Sequence, residues 1–280
     1  MDIWVICSVV SKFALYLGVI TSAGLVFNAA LFPQYIPQRV VAPRIAGFAL
    51  LGAVSALVGF VLQGAVLMGE WSGVFDPEIW GILWETPVGT ALVYYVIGCA
   101  LMLMTLVLRR ASLWGAILGG GIALYGFTQI GHITGPSEIV LLLHLGVVTF
   151  WIGVLTPLRW LIVQGHDTKM AAGLGYRFGK IAMVSVPVLI VAGLVLAYQL
   201  VGSFAGLLQP YGLTLCMKIA AVAVLLALGA VNKLRFVPGL RMGQIGAAQG
   251  LARSIRMEWV AFILIFAITA VLTSSLSPPG

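Results

Sequence analysis

Lys12, His144 and Lys218 are ionisable side chains that stand inside long apolar runs of this sequence. Such groups are costly away from water, so each is a functional candidate by default. His144 has three readings: a metal ligand, a hydrogen-bonded packing residue or a haem ligand. His132, in Gly131-His132-Ile133-Thr134, precedes it on the way into the same run. A surface histidine above a buried one is a two-step entry for a soft cation, and sulfur is the natural third donor. Helical residues advance about 100° each, so with Thr214 and Lys218 facing inward, Met217 lies beside them and Cys216 points away. Met217 is therefore the expected third ligand. Tyr95, Cys99 and Met102 recur at i, i+4 and i+7, one helical stripe. Thiol and thioether suit Cu(I), so that stripe reads as an ion path, with plain core packing as its alternative. Lys12, Tyr16 and Lys218 form an expected polar layer, against the alternative that each lysine snorkels to the headgroups.

Elements able to hold such groups follow from composition. Of 280 residues, 61% are hydrophobic and 8% charged, whereas a soluble domain carries about a quarter charged residues. A soluble globule, a disordered chain and a disulfide scaffold are excluded, and an all-α integral membrane protein is expected. Eight apolar segments are long enough to cross a bilayer as helices: 3–31, 45–68, 87–108, 112–130, 137–161, 178–200, 213–231 and 255–274. None shows the alternation of an outer-membrane barrel strand.

Lys and Arg concentrate after the first, third, fifth and seventh segments, as Arg39, Arg44, Arg109, Arg110, Arg159, Lys169, Arg177, Lys180, Lys233, Arg235, Arg241 and Arg253. Those connections are expected on the cytoplasmic side, with both termini outside, in the periplasm of a bacterial inner membrane. The net charge of +7 is then a topology signal and does not call for nucleic acid. No cleavable leader is expected, because Asp2 replaces a basic start. Glu70, Asp76, Glu78 and Glu85 make the second connection acidic. Within it, Asp76-Pro77-Glu78 is a helix start, and Ile79, Trp80, Leu83 and Trp84 predict a short interfacial helix. Glu138 is expected in a capping role at the start of the fifth segment.

The halves resemble each other. Leu15-Tyr16-Leu17-Gly18-Val19-Ile20-Thr21 parallels Leu143-His144-Leu145-Gly146-Val147-Val148-Thr149, and Pro87-Val88-Gly89 parallels Pro210-Tyr211-Gly212. Residues 1–280 are thus expected to form one membrane domain of two four-helix halves, 1–130 and 131–280, in a parallel 4+4 repeat. Lys12, His144 and Lys218 all fall roughly 10–13 Å below the outer surface on this reading. No nucleotide-binding loop, phosphorylation sequence, CxxC or CxxCH motif, or hydrolytic triad is present, which leaves ATP-driven pumping and covalent haem attachment unsupported.

The run His144-Leu145-Gly146-Val147-Val148-Thr149-Phe150-Trp151-Ile152-Gly153-Val154-Leu155-Thr156-Pro157-Leu158 resembles the helix that marks the copper resistance protein D (CopD) family. So do Arg177-Phe178, Pro210-Tyr211-Gly212 with Lys218, Asn232-Lys233 and Leu276-Ser277-Pro278-Pro279, while Thr86-Pro87-Val88-Gly89 is similar to an element of its first half. The resemblance implies an inner-membrane protein of copper uptake or handling, often working with a periplasmic copper-binding partner, CopC. It also implies a basic residue near Tyr95, which this chain lacks. The expectation is a copper transport or handling protein without enzymatic turnover, in which copper meets His132, then His144 with Met217, and passes between the halves. A redox protein holding b-type haem is the alternative, followed by a non-catalytic membrane subunit.

Overall fold

The computed structural model describes residues 3–104, 112–131, 135–164 and 167–278. Among them all regular structure is helical. The helices are α1 (Ile3–Leu31), α2 (Gln38–Met68), α3 (Pro77–Trp84), α4 (Pro87–Leu103), α5 (Ser112–Gly126), α6 (Ser137–Val163), α7 (Thr168–Val201), α8 (Pro210–Val231), α9 (Val237–Arg241) and α10 (Ala247–Ser274). Six of these runs are long and apolar enough to span a bilayer. The α3–α4 pair, bent by 83° between them, makes a seventh if counted as one span. In chain order, α1, α2, α4, α5, α6, α7, α8 and α10 occupy the eight expected segments, but α5 has only 15 residues and falls short of a full crossing.

Three helices begin well before the expected points, at Gln38, Thr168 and Ala247 rather than at 45, 178 and 255. Apolar content marks only the part of a helix that lies in hydrocarbon, and these starts carry the charges of the basic connections. For α7 the true start is set by Asp167, whose Oδ1 accepts from the backbone N–H of Met170 at 2.8 Å. The short helix expected from Asp76 onward forms as α3. Asp76 Oδ1 accepts from Glu78 N at 2.9 Å and from Ile79 N at 3.4 Å, and Pro77 occupies the first turn where no N–H is needed. Asp76→Ala is expected to cost about 1 kcal/mol of local helix stability. Hydrogen exchange should then quicken at the Glu78 and Ile79 amides while α4 is unaffected. Glu138 also caps, its Oε1 accepting from Gly135 N at 3.1 Å.

Water drives no association between apolar helices in lipid, so close backbone approach and buried polar contacts must hold them. α1 is the hub, touching α2, α4, α5, α6 and α10. Gly18 lies against the backbone of Gly52 in α2, and Gly24 against that of Gly153 in α6. Beside the second crossing, Asn28 Nδ2 donates to Phe150 O and Gly24 O, each at 2.9 Å. Thr21 and Thr149 are both fully buried near it. Packing is uneven beyond the hub: α2 lies along α4, whereas α7 and α8 scarcely touch. That opening between α7 and α8 positions the site.

Candidate functional site

His144 projects from α6 into the opening. Its ring lies so close to Gly193 of α7 that a Cβ there would sit 3.3 Å from His144 Cε1. It faces the Leu189 backbone and lies within electrostatic reach of Lys218 on α8. The ring is half-buried, and its enclosed Nδ1 makes no well-aligned hydrogen bond, although the Leu189 backbone lies within its reach. Lys218 is half-buried too, on the stripe by which α8 packs, with Tyr211, Leu215, Ala221 and Leu225. Met217 stands one helical step, about 100°, off that stripe and is 62% exposed on the outer surface of α8. Cys216 is exposed as well. The structure therefore brings His144 and Lys218 together and leaves Met217 facing outward.

A second polar patch forms at the meeting of α1 and α10. Lys12 Nζ donates to the Thr273 carbonyl, and the Tyr16 and Thr273 hydroxyls share a hydrogen bond of 3.1 Å. Neither Lys12 nor Tyr16 is free to wander, because both hold the end of α10. Tyr16 and Tyr95 flank the ring of Phe127, at 5.2 and 5.0 Å between centroids. Tyr16 also lies within electrostatic reach of Tyr211. Tyr95, Cys99 and Met102 are all buried in the main apolar core, with Cys99 against Gly52 of α2.

His132 and His166 lie outside the described residues, so His144 is the one histidine among those described. No group of three or more His, Cys, Asp or Glu side chains is gathered there as a metal site. The paired histidines of a b-type haem site are likewise not assembled from the described residues.

Sequence reasoning missed Glu258 of α10, which is 2% exposed. Trp151 of α6 donates its Nε1–H to Glu258 Oε2 at 2.7 Å, and Asn232 donates from Nδ2 to Oε1. Both donors are neutral. Asn232 opens a turn of π-helix, Asn232–Phe236, that continues α8. The available signal was an acid inside the apolar segment 255–274, together with Trp151 and Asn232 in the motif runs. The cluster borders a cavity of about 300 Å³ between α6, α7, α8 and α10, lined also by Phe178, Met183 and Lys233. An adjoining cavity of about 540 Å³ shares Lys233 and Met183 and continues past Tyr176, Lys180 and Arg241. Arg241 and Lys180 sit over the Tyr176 ring at 4.5 and 4.9 Å. His144 and Lys218 thus lie toward the starts of α6 and α8, and Glu258 and Asn232 nearer the end bearing the basic connections.

Residues 172–272 match the family described as copper resistance protein D, and residues 1–135 match the copper resistance protein D-like N-terminal domain. The chain is 22% identical over 275 residues to the inner membrane protein YebZ of Escherichia coli (strain K12), covering 91% of this chain and 94% of that protein. It is 25% identical over 229 residues to the copper transport protein CutJ of Bacillus subtilis (strain 168). That match covers 75% of this chain but 41% of the relative, so the chain spans about two fifths of CutJ. No solved structure matches.

Proposed function

This chain belongs to the copper resistance protein D family and is a multi-pass inner-membrane protein, and from that premise we propose that it moves copper inward from the periplasmic face. Copper is the substrate here. The observation that carries this reading is the His144 imidazole, enclosed at the opening between α6, α7 and α8 against the Leu189 backbone and without a side-chain hydrogen-bond partner. A neutral imidazole presenting a free lone pair is a ligand for a borderline or soft cation, and Cu(I) is the state such a donor set favours.

On this reading His132 receives copper at the surface and His144 takes it at membrane depth. Met217 faces lipid and stands outside the route; the thioether on the route is Met183, which lines the inner cavity. Tyr95, Cys99 and Met102 lie in closed packing of the first half, apart from both cavities. Lys218 sets a condition: its positive charge would repel a cation at His144, so it must be neutral or turned aside during passage.

The reading takes the chain as eight segments in two halves, termini outside. Support comes from the alternation of basic connections, from the contact of α1 with α6, and from the equivalent burial of Thr21 and Thr149. The acidic connection with Glu70, Asp76, Glu78 and Glu85 would concentrate cations at the outer mouth, where a CopC-like donor could dock.

His144→Ala is expected to lower cellular copper accumulation by about tenfold at equal expression, on the scale of losing an ordered metal ligand. Unchanged accumulation would remove His144 from the mechanism. A purified sample without a Soret band is expected, and a Soret band would establish the b-type haem alternative instead.

A further inference from the structure

We infer that Glu258, clasped by Trp151 and Asn232 at the edge of the inner cavity, is a proton-exchanging site. A carboxylate inside a membrane bundle needs either a paired cation or a proton. Glu258 has neither lysine nor arginine at ion-pair distance among the described residues; its oxygens are each held by one neutral N–H, from Trp151 and from Asn232.

The arrangement of Asn232 shows how both charge states can be satisfied. Its Nδ2 donates to Glu258 Oε1 while its own Oδ1 is buried without any partner. An amide carries a donor and an acceptor on one planar group. Turning that plane over presents Oδ1 to Oε1, where it accepts the O–H of a neutral Glu258. Trp151 donates to Oε2 in either state. A purely structural clasp would have no use for the spare acceptor, and a buried polar atom without a partner is costly. The π turn that begins at Asn232 is the kind of local irregularity that recurs at functional positions.

The proton has a source and a route. A cavity of about 300 Å³ has room for several waters at about 30 Å³ each. It adjoins the wider cavity that runs out past Lys180 and Arg241. Around the inner cavity, α6 presents Trp151 and α7 presents Phe178, Met183 and Val186, none of which titrates in the accessible range. The turn after α8 presents Asn232 and Lys233, and α10 adds Leu251 beside Glu258 itself. Lys233 is thus the other ionisable side chain among the described lining residues, and it lines both cavities. The step is a plain transfer: a proton leaves a cavity water for Oε1 and later returns, with no other bond made or broken.

A consequence follows that rests on the transport reading. Releasing that proton as a cation passes would offset the charge moved, which makes the flux sensitive to a pH gradient.

Two measurements on the full chain decide the matter. Infrared difference spectra of the protein in lipid nanodiscs, taken across a pH step, are expected to show the carbonyl band of a neutral carboxylic acid, absent from Glu258→Gln. Asn232→Leu, which removes the amide, should displace the midpoint of that band by about one pH unit or more. Identical spectra for wild type and a folded Glu258→Gln protein would overturn the inference. Should Glu258→Gln not fold, an unmoved midpoint in Asn232→Leu would overturn it equally. In proteoliposomes given Cu(I) and an enclosed pH dye, copper entry is expected to move protons in the wild type and not in Glu258→Gln. Copper entry with an unaltered proton signal in the variant overturns the coupling. Absence of copper entry in the wild type overturns the transport reading and the coupling with it, while the infrared result stands for itself.

Discussion

Gly153→Val is expected to prevent assembly of the bundle. A Cβ at this position would land on the carbonyl carbon and oxygen of Gly24, and backbone atoms cannot swing aside as a side chain can. Overpacking usually costs about 1–3 kcal/mol when neighbours can repack; with a rigid neighbour the upper end is the floor. The damage also spreads, because α1 is the hub against which α2, α5, α6 and α10 pack. Moving α6 away would also break the bond from Asn28 to Phe150 O, leaving polar groups unpaired in an apolar interior. Purified variant is expected to lose its monodisperse peak in detergent or to melt far below the wild type. Gly146 on the same helix supplies the contrast, since nothing lies within 4 Å of a Cβ built there. Gly146→Ala should leave the melting temperature unchanged or raise it, as alanine gains about 1 kcal/mol over glycine in a helix. Equal behaviour of the two variants would refute the close crossing.

Trp151→Phe is expected to produce the second large loss. The indole is 5% exposed and gives Glu258 one of its two N–H donors. Leaving a buried acceptor without its donor costs about 1–3 kcal/mol in either charge state of Glu258, and the smaller ring adds a void. Trp151 also rests edge-on against Phe262 of α10 and packs over Gly229 of α8, so it joins three helices. A double-mutant cycle with Glu258→Gln separates these contributions. The hydrogen-bond share should shrink in the Gln background, giving a coupling energy of at least about 1 kcal/mol in a reversible unfolding titration. Strictly additive losses would mean that Trp151 serves packing alone.

The membrane class was legible because charge is scarce and apolar runs are long, and the start of α3 because Asp76, Pro77 and Glu78 act on backbone within the same turn. Contacts between distant segments were less so. Glu258 sits just after Arg253 and Arg256, and so reads as the headgroup end of the last segment. Its partners lie 107 and 26 residues away, and nothing local announces that α10 starts early enough to carry it inside. The surroundings of Met217 were hard to read for a different reason. The helical angle placed it correctly beside Lys218, but α8 is buried along a narrow stripe because α7 stands off it, so one step sideways already faces outward. Depth predicted one layer of Lys12, His144 and Lys218, whereas the structure sets His144 beside Lys218 and Lys12 in a separate patch with α10.

The bond from Lys12 to the Thr273 carbonyl joins residues 261 positions apart. During synthesis the ammonium of Lys12 reaches the insertion machinery long before its acceptor exists. Until then it must stay hydrated at the translocon mouth or the lipid surface, which holds α1 shallow. Arrival of α10 would let the first helix settle to its final depth, so ribosome-bound intermediates truncated before Thr273 should leave Lys12 open to water-soluble amine reagents.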